Sequence, residues 1–161
     1  MIVLEGKLGT GSNKIPRSAT FSVAANDASA AFKAQADYLC DGTDDDVQIQ
    51  AAIDALSATY GGRVALSEGT FSISTTVSLK TGTVLQGQGR SHMNPSTGTI
   101  LHAATGLDSD VIALATANEK HVEIRDLVVD GNEAGQSTGD GIKLDRTGTS
   151  LTNAPRDLLH N

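Results

Sequence analysis

Residues 40–56, CDGTDDDVQIQAAIDAL, set three consecutive aspartates, Asp44, Asp45 and Asp46, ahead of a regular apolar pattern. Carboxylates at this density have three uses: ligands for a metal, acid–base groups for a substrate, or the start of a helix. The spacing fits no EF-hand, which needs acidic residues at alternate positions and a glycine at the sixth. Ile49, Ala52, Ile53 and Leu56 fall at i, i+3, i+4 and i+7 and make one helical stripe. Thr43 followed three residues later by Asp46 is a variant of the capping box. Asp44 and Asp45 then fall in the first turn, where the helix dipole favours negative charge by roughly 0.3–1 kcal/mol each. The expectation is a structural helix N-terminus carried by Thr43, Asp44 and Asp46, with no metal bound there.

The second group of candidates lies near the C-terminus. Asp126, Asp130, Asp140 and Asp145 stand among Arg125, Arg146 and His121. Paired carboxylates are the acid and base that cleave glycosidic bonds. Each of these residues also has a plainer use. Asp130-Gly131-Asn132 and Asp140-Gly141 are turn signals, and Asp126 and Asp145 sit beside Arg125 and Arg146 as surface charge balance. No catalytic residue is therefore assigned. His92, His102, His121 and His160 show no H-x-x-x-H spacing, so no zinc site is expected. Cys40 is the single cysteine; it forms no intrachain disulfide and reads as a small buried thiol. No cofactor is implied.

The formal charge of −7 and pI near 4.9 argue against a nucleic-acid binder, which would show a basic patch, and against an anionic membrane surface. No apolar run approaches 18 residues, so no membrane span is expected. The N-terminal MIVLEGKLGTGSNK lacks the pattern of a signal peptide. All five aromatic residues, Phe21, Phe32, Tyr38, Tyr60 and Phe71, precede residue 72. A glycan site in residues 77–161 would thus be a polar groove rather than a stacking platform. The two longest polar insertions, GRSHMNPSTG (89–98) and NEAGQSTGDG (132–141), read as solvent loops.

These residues must be positioned by three successive regions. Residues 1–18 read as a flexible or partner-ordered segment. Residues 19–60 read as a strand–helix–strand lead-in followed by the helix of the aspartates. Asn26 or Asp27 caps the short Ala-rich helix of the lead-in, and the main helix spans about 46–59. Residues 61–161 hold short apolar strings separated by Gly, Asn, Asp, Ser or Thr, an all-β pattern. An internal repeat selects among all-β architectures. DVIAL at 110 recurs as DGIKL at 140, and RDLVVDGN at 125 as RDLLHN at 156. A repeat near 30 residues holding two or three strands suggests one coil of a β-helix.

ADYLCDGTDDDVQIQAAIDAL, GGRVALSEGTFSIS, VSLKTGTVLQGQGR and IRDLVVDGN together resemble the N-terminal part of the pectate-lyase-like superfamily. The resemblance covers residues 36–145. It implies an all-β, right-handed parallel β-helix whose N-terminal end is capped by the α-helix. The superfamily is common in phage tail spikes and polysaccharide depolymerases. It thus implies a virion structural or attachment module, located on a virion tail or surface or outside the cell. Such a module would be a homotrimer, touching particle proteins through residues 1–35, with polysaccharide as a further partner and neither nucleic acid nor membrane. The rival expectation is the first part of a polysaccharide lyase or glycoside hydrolase with its active site beyond Asn161. A secreted or cell-surface β-helix is the third. The repeat stops inside a rung at RDLLHN, which reads as a truncation.

Overall fold

Alternation of apolar and polar residues puts one face of each short string in the core and leaves the other to solvent. The computed structural model describes residues 19–89 and 98–145, together with the backbone of 158–159. Strand β1 (Ala19–Ala24), helix α1 (Ala30–Lys33), strand β2 (Tyr38–Leu39) and helix α2 (Asp46–Asp54) come first. Strands β3 (Gly62–Leu66), β4 (Gly69–Ile73) and β5 (Val77–Leu79) follow. Then come β6 (Thr83–Gln86), β7 (Thr99–Ala103) and β8 (Ile112–Leu114). The last are β9 (Glu123–Arg125), β10 (Val128–Asp130), β11 (Ile142–Lys143) and β12 (Leu158–Leu159).

The structure is mostly β with parallel sheets. One sheet has the order β12-β9-β6-β3-β1-β2, the second β10-β7-β4, and the third β11-β8-β5. The chain therefore visits the three sheets in rotation, and each strand pairs in parallel with its counterpart one circuit earlier. Register stacks like on like in the interior. Val64, Leu85 and Ile124 form one inward row, Phe71, Leu101 and Val129 a second, and Val77, Ile112 and Ile142 a third. Phe71, Leu85, Leu101 and Ile112 have no solvent exposure. Burying each aliphatic side chain is worth about 1.5–3 kcal/mol, so these rows hold the circuits together.

The repeat is observed in one half and corrected in the other. Ile112 pairs with Ile142, the 30-residue offset expected from DVIAL and DGIKL. RDLLHN does not stack on RDLVVDGN: Leu158 pairs with Glu123 and Leu159 with Ile124, so its partner is the preceding string EIR in the first sheet. RDLVVDGN instead supplies β10 to the second sheet, paired with β7. Register here follows the residue count around each circuit, which differs from the spacing of the similar strings.

The lead-in is not a separate element, because β1 pairs with both β2 and β3 and extends the first sheet. The short helix is capped by Ser29, whose side chain accepts from the Phe32 N–H, and not by Asn26 or Asp27. The main helix stops at Asp54, short of residue 59. Ser57 Oγ then accepts from the N–H groups of Thr59 and Tyr60, and Gly61 turns at φ +64°. A Cβ at Gly61 would lie 2.2 Å from the Gly82 carbonyl oxygen. Only glycine lets the two circuits approach there.

Candidate functional site

The three aspartates are not arranged as a capping box. Helix α2 starts at Asp46 with Asp45 in the N-cap position, and no side chain caps it. Asp44 lies at φ +52°, outside the helix, and the Thr43 N–H donates to Asp41 Oδ1. The carboxylates serve a neighbouring strand. Every second N–H of β4 points away from β7 toward the first end of the sheet, where no strand precedes it. Asp27 accepts from the Thr70 N–H, Asp45 Oδ2 from Ser72, and Asp46 Oδ1 from both the Ser74 N–H and its hydroxyl. On β5, Gln50 Oε1 accepts from the Ser78 N–H while Gln50 Nε2 donates to the Ser78 carbonyl. The sequence expectation placed these carboxylates at their own helix; folding gives them to open edge strands, which must not stay unpaired.

Asp45 is fully buried, and its Oδ1 also accepts from the Gly42 N–H. Burial pushes its carboxyl above the ordinary aspartate range, against the pull of the Ser72 and Gly42 hydrogen bonds. Burial, followed by the Asp45 charge, pushes the adjacent Cys40 thiol up. A thiol held protonated and buried is a packing group and not a nucleophile.

The second candidate region sits where two connections stack, 104–111 below and 131–141 above. The upper loop is pinned to the lower at several points. Asn132 Nδ2 donates to the Ala103 carbonyl, and Gln136 Nε2 to that of Ala104. Gln136 Oε1 accepts from the Asp108 N–H, Asp108 Oδ1 from Ser137, and Asp110 Oδ1 from Asp140. Asn132, at φ +48°, opens a 3-10 turn over Glu133–Gly135. Gly139 at φ +111° lets the loop close down: a Cβ there would lie 2.3 Å from the Ser109 carbonyl oxygen.

The upper loop, with Ser109 and Val111 of the lower connection, lines a cleft of about 380 Å³, its chemistry set by Asp130, Asn132, Glu133, Ser137 and Asp140. That volume is in the range of ligand pockets, roughly 300–1,000 Å³. Asp130 is held from two sides. His102, its register partner on β7, places Nδ1 3.0 Å from Asp130 Oδ2, and the Asn132 N–H donates to Oδ1. As an N–H, Nδ1 donates to the carboxylate and leaves Nε2 as the acceptor.

Of the acidic candidates read from the sequence, Asp130 and Asp140 meet in this cleft, and the others do not. Asp126 lies at the β9–β10 bend at φ +57°, where its Oδ2 accepts from Gln86 Nε2. Arg125 donates to Gln86 Oε1 and pairs with Glu123 at 3.3 Å on the first sheet. His121 precedes β9 at φ +54°, Asp145 is exposed, and Arg146 lies outside the described residues. Most of the 89–98 insertion lies outside them too. His102, Asn132, Glu133 and Gln136 were not among the candidates. The signal that could have found them was the NEAGQSTGDG insertion, together with the register that stacks His102 on Asp130. Among the described residues no three His, Cys, Asp or Glu side chains gather as metal ligands.

Comparison with known proteins adds the relationship. No curated protein and no solved structure matches the chain. A family model described as rhamnogalacturonase A/epimerase, pectate lyase-like, matches residues 31–154. That range takes in α2, all three circuits and the cleft, and the chain belongs to this pectate-lyase-like family.

Proposed function

We propose that this chain forms the first circuits of a right-handed parallel β-helix, closed at its first end by α2, and that the cleft lined by the 130–141 loop with Ser109 and Val111 engages polysaccharide. Membership of a polysaccharide-acting family supports the ligand class. The observation that carries the location is the pinned loop 131–141: a polar cleft whose backbone is tied at Asn132, Gln136, Ser137 and Asp140 is ordered before a ligand arrives. Binding is the part of the function this geometry supports. Asp130 and Asp140 with an oriented His102 are groups of the kind used for acid–base work on glycosidic bonds.

Titration of the labelled protein with a panel of oligosaccharides, read by amide chemical shifts, tests the reading. Shifts confined to residues 104–111 and 131–141, and lost in a cleft variant that keeps its fold, are expected. Shifts elsewhere only, or none across the panel, would overturn it. A virion tail-spike role, with a homotrimer and particle contacts through residues 1–35, rests on the family resemblance. No observation among the described residues favours it as a second reading.

A further inference from the structure

We infer that the molecule carries a second saccharide site, at Tyr60 and Arg63, which takes a sugar bearing an anionic group, carboxylate or sulfate. It is separate from the cleft of the 130–141 loop and lies at the corner where successive circuits enter the first sheet. There Thr20, Tyr60, Gly62, Arg63, Gly82 and Val84 line a cleft of about 310 Å³, within the range of ligand pockets, roughly 300–1,000 Å³. Thr20, Arg63 and Val84 are register partners on β1, β3 and β6. They form one outward row, alternating with the inward row of Val64 and Leu85.

Tyr60 is 84% exposed, yet its backbone is fixed. The Tyr60 N–H donates to Ser57 Oγ, the Gly61 N–H to the Ser57 carbonyl, and the Gly62 N–H to the Gly82 carbonyl. Gly82 in turn donates its N–H to the Lys120 carbonyl. A tyrosine on a tied turn has little freedom left to lose when a ligand seats on it. The negative face of its ring attracts the C–H face of a sugar, and its hydroxyl both donates and accepts. Arg63 sets the charge of the ligand. Its residue is exposed, and a guanidinium is a planar fork of donors that matches the paired oxygens of an oxyanion. Exposed Lys120 adds a cation at the same corner. The acidic side chains of this corner are engaged: Asp54 pairs with Lys80, Glu123 pairs with Arg125, and Glu119 accepts from the Thr81 hydroxyl.

Binding is measured on the full chain by calorimetry and by amide chemical shifts, with three probes of matched length. These are neutral galacto-oligosaccharide, sulfated galacto-oligosaccharide and oligogalacturonate. Shifts are expected at residues 60–63, Gly82 and Val84, with at least one anionic probe binding about tenfold tighter than the neutral one at low salt. The tighter anionic probe identifies the group. Tyr60→Ala is expected to weaken that probe about tenfold, and Arg63→Gln to abolish the preference for it over the neutral probe. Both substitutions are at exposed positions, and circular dichroism checks the fold. Neutral binding as tight as that of both anionic probes would overturn the inference. So would anionic binding untouched by either substitution, or no shifts at these residues with any probe. Shifts at 131–141 report on the other cleft independently, so either site can fail while the other stands.

Discussion

The two acidic regions of this molecule put the same side chain to opposite uses. At the α2 end, Asp45 and Asp46 are buried and their oxygens accept from the amides of Ser72 in β4 and of Ser74 just after it. In the cleft, Glu133 and Asp140 are exposed, and the loop holding them is tied by its backbone and by Asn132 and Gln136 instead. The difference teaches that acidity alone says little. A carboxylate facing an open sheet edge completes the fold, and one left outside a pinned loop is free to meet a ligand.

Substitutions separate the two regions, and the largest effect is expected at Asp45. Asp45→Ala removes a buried acceptor from the part-buried Ser72 and Gly42 N–H bonds and should cost about 2–4 kcal/mol, measured by urea denaturation. Asp46→Ala removes the acceptor of the Ser74 N–H and hydroxyl and should cost about 1–2 kcal/mol. A smaller cost for Asp45→Ala than for Asp46→Ala would break the ranking by burial.

The pH dependence of stability divides along the same line. Asp37, Asp54, Glu68 and Glu119 have carboxyls held below their ordinary values. For Asp37 the main cause is the Ser22 N–H, for Asp54 the Lys80 ammonium, and for Glu68 Ser29; for Glu119 burial works the other way and is outweighed by hydrogen bonds from Thr81 and Thr116. Such groups stabilise the fold above their unfolded values, near 4, and that contribution is lost as pH falls through their folded values. Asp45 has the opposite sign. Its raised folded value means the native state binds a proton first, so its contribution to stability grows as pH falls through that value. Asp45→Asn should therefore make the acid loss of stability begin at higher pH than in the parent. An unchanged acid limb, followed by thermal melts between pH 3 and 7, would argue that the Asp45 carboxyl is not raised.

The smallest effects are expected where the sequence pointed first and where the ligand is proposed. Thr43→Ala, Glu133→Gln and Asp140→Asn should each change stability by no more than about 0.5 kcal/mol. For Thr43 a capping box would instead give up to about 2 kcal/mol. For the cleft pair the effect should appear in glycan affinity, not in the melting temperature.

How far the sequence reaches follows from these residues. The helix carrying Ile49, Ala52 and Ile53 and the strand strings were legible because periodicity is local, and the D-G-T-x-D-D pattern pointed to the family now shown. The destination of Asp45 and Asp46 was not, since it depends on β4 amides more than 25 positions away. The stacking of RDLLHN was misread because similar strings were matched by spelling, while register is set by circuit length. The cleft escaped because NEAGQSTGDG is polar and turn-rich, which is how both a solvent loop and a pinned binding loop look until Gln136 and Asn132 find their carbonyls.

The central claim is that side chains around α2 replace a missing strand on the edge of β4 and β5. Amide hydrogen exchange at Ser72, Ser74 and Ser78 tests it most directly. Protection at these three amides comparable to that of the interior strands is expected, with Asp45→Ala releasing Ser72 far more than Ser78. Fast exchange at all three in the parent protein, or release of Ser72 and Ser78 alike in the variant, would contradict it.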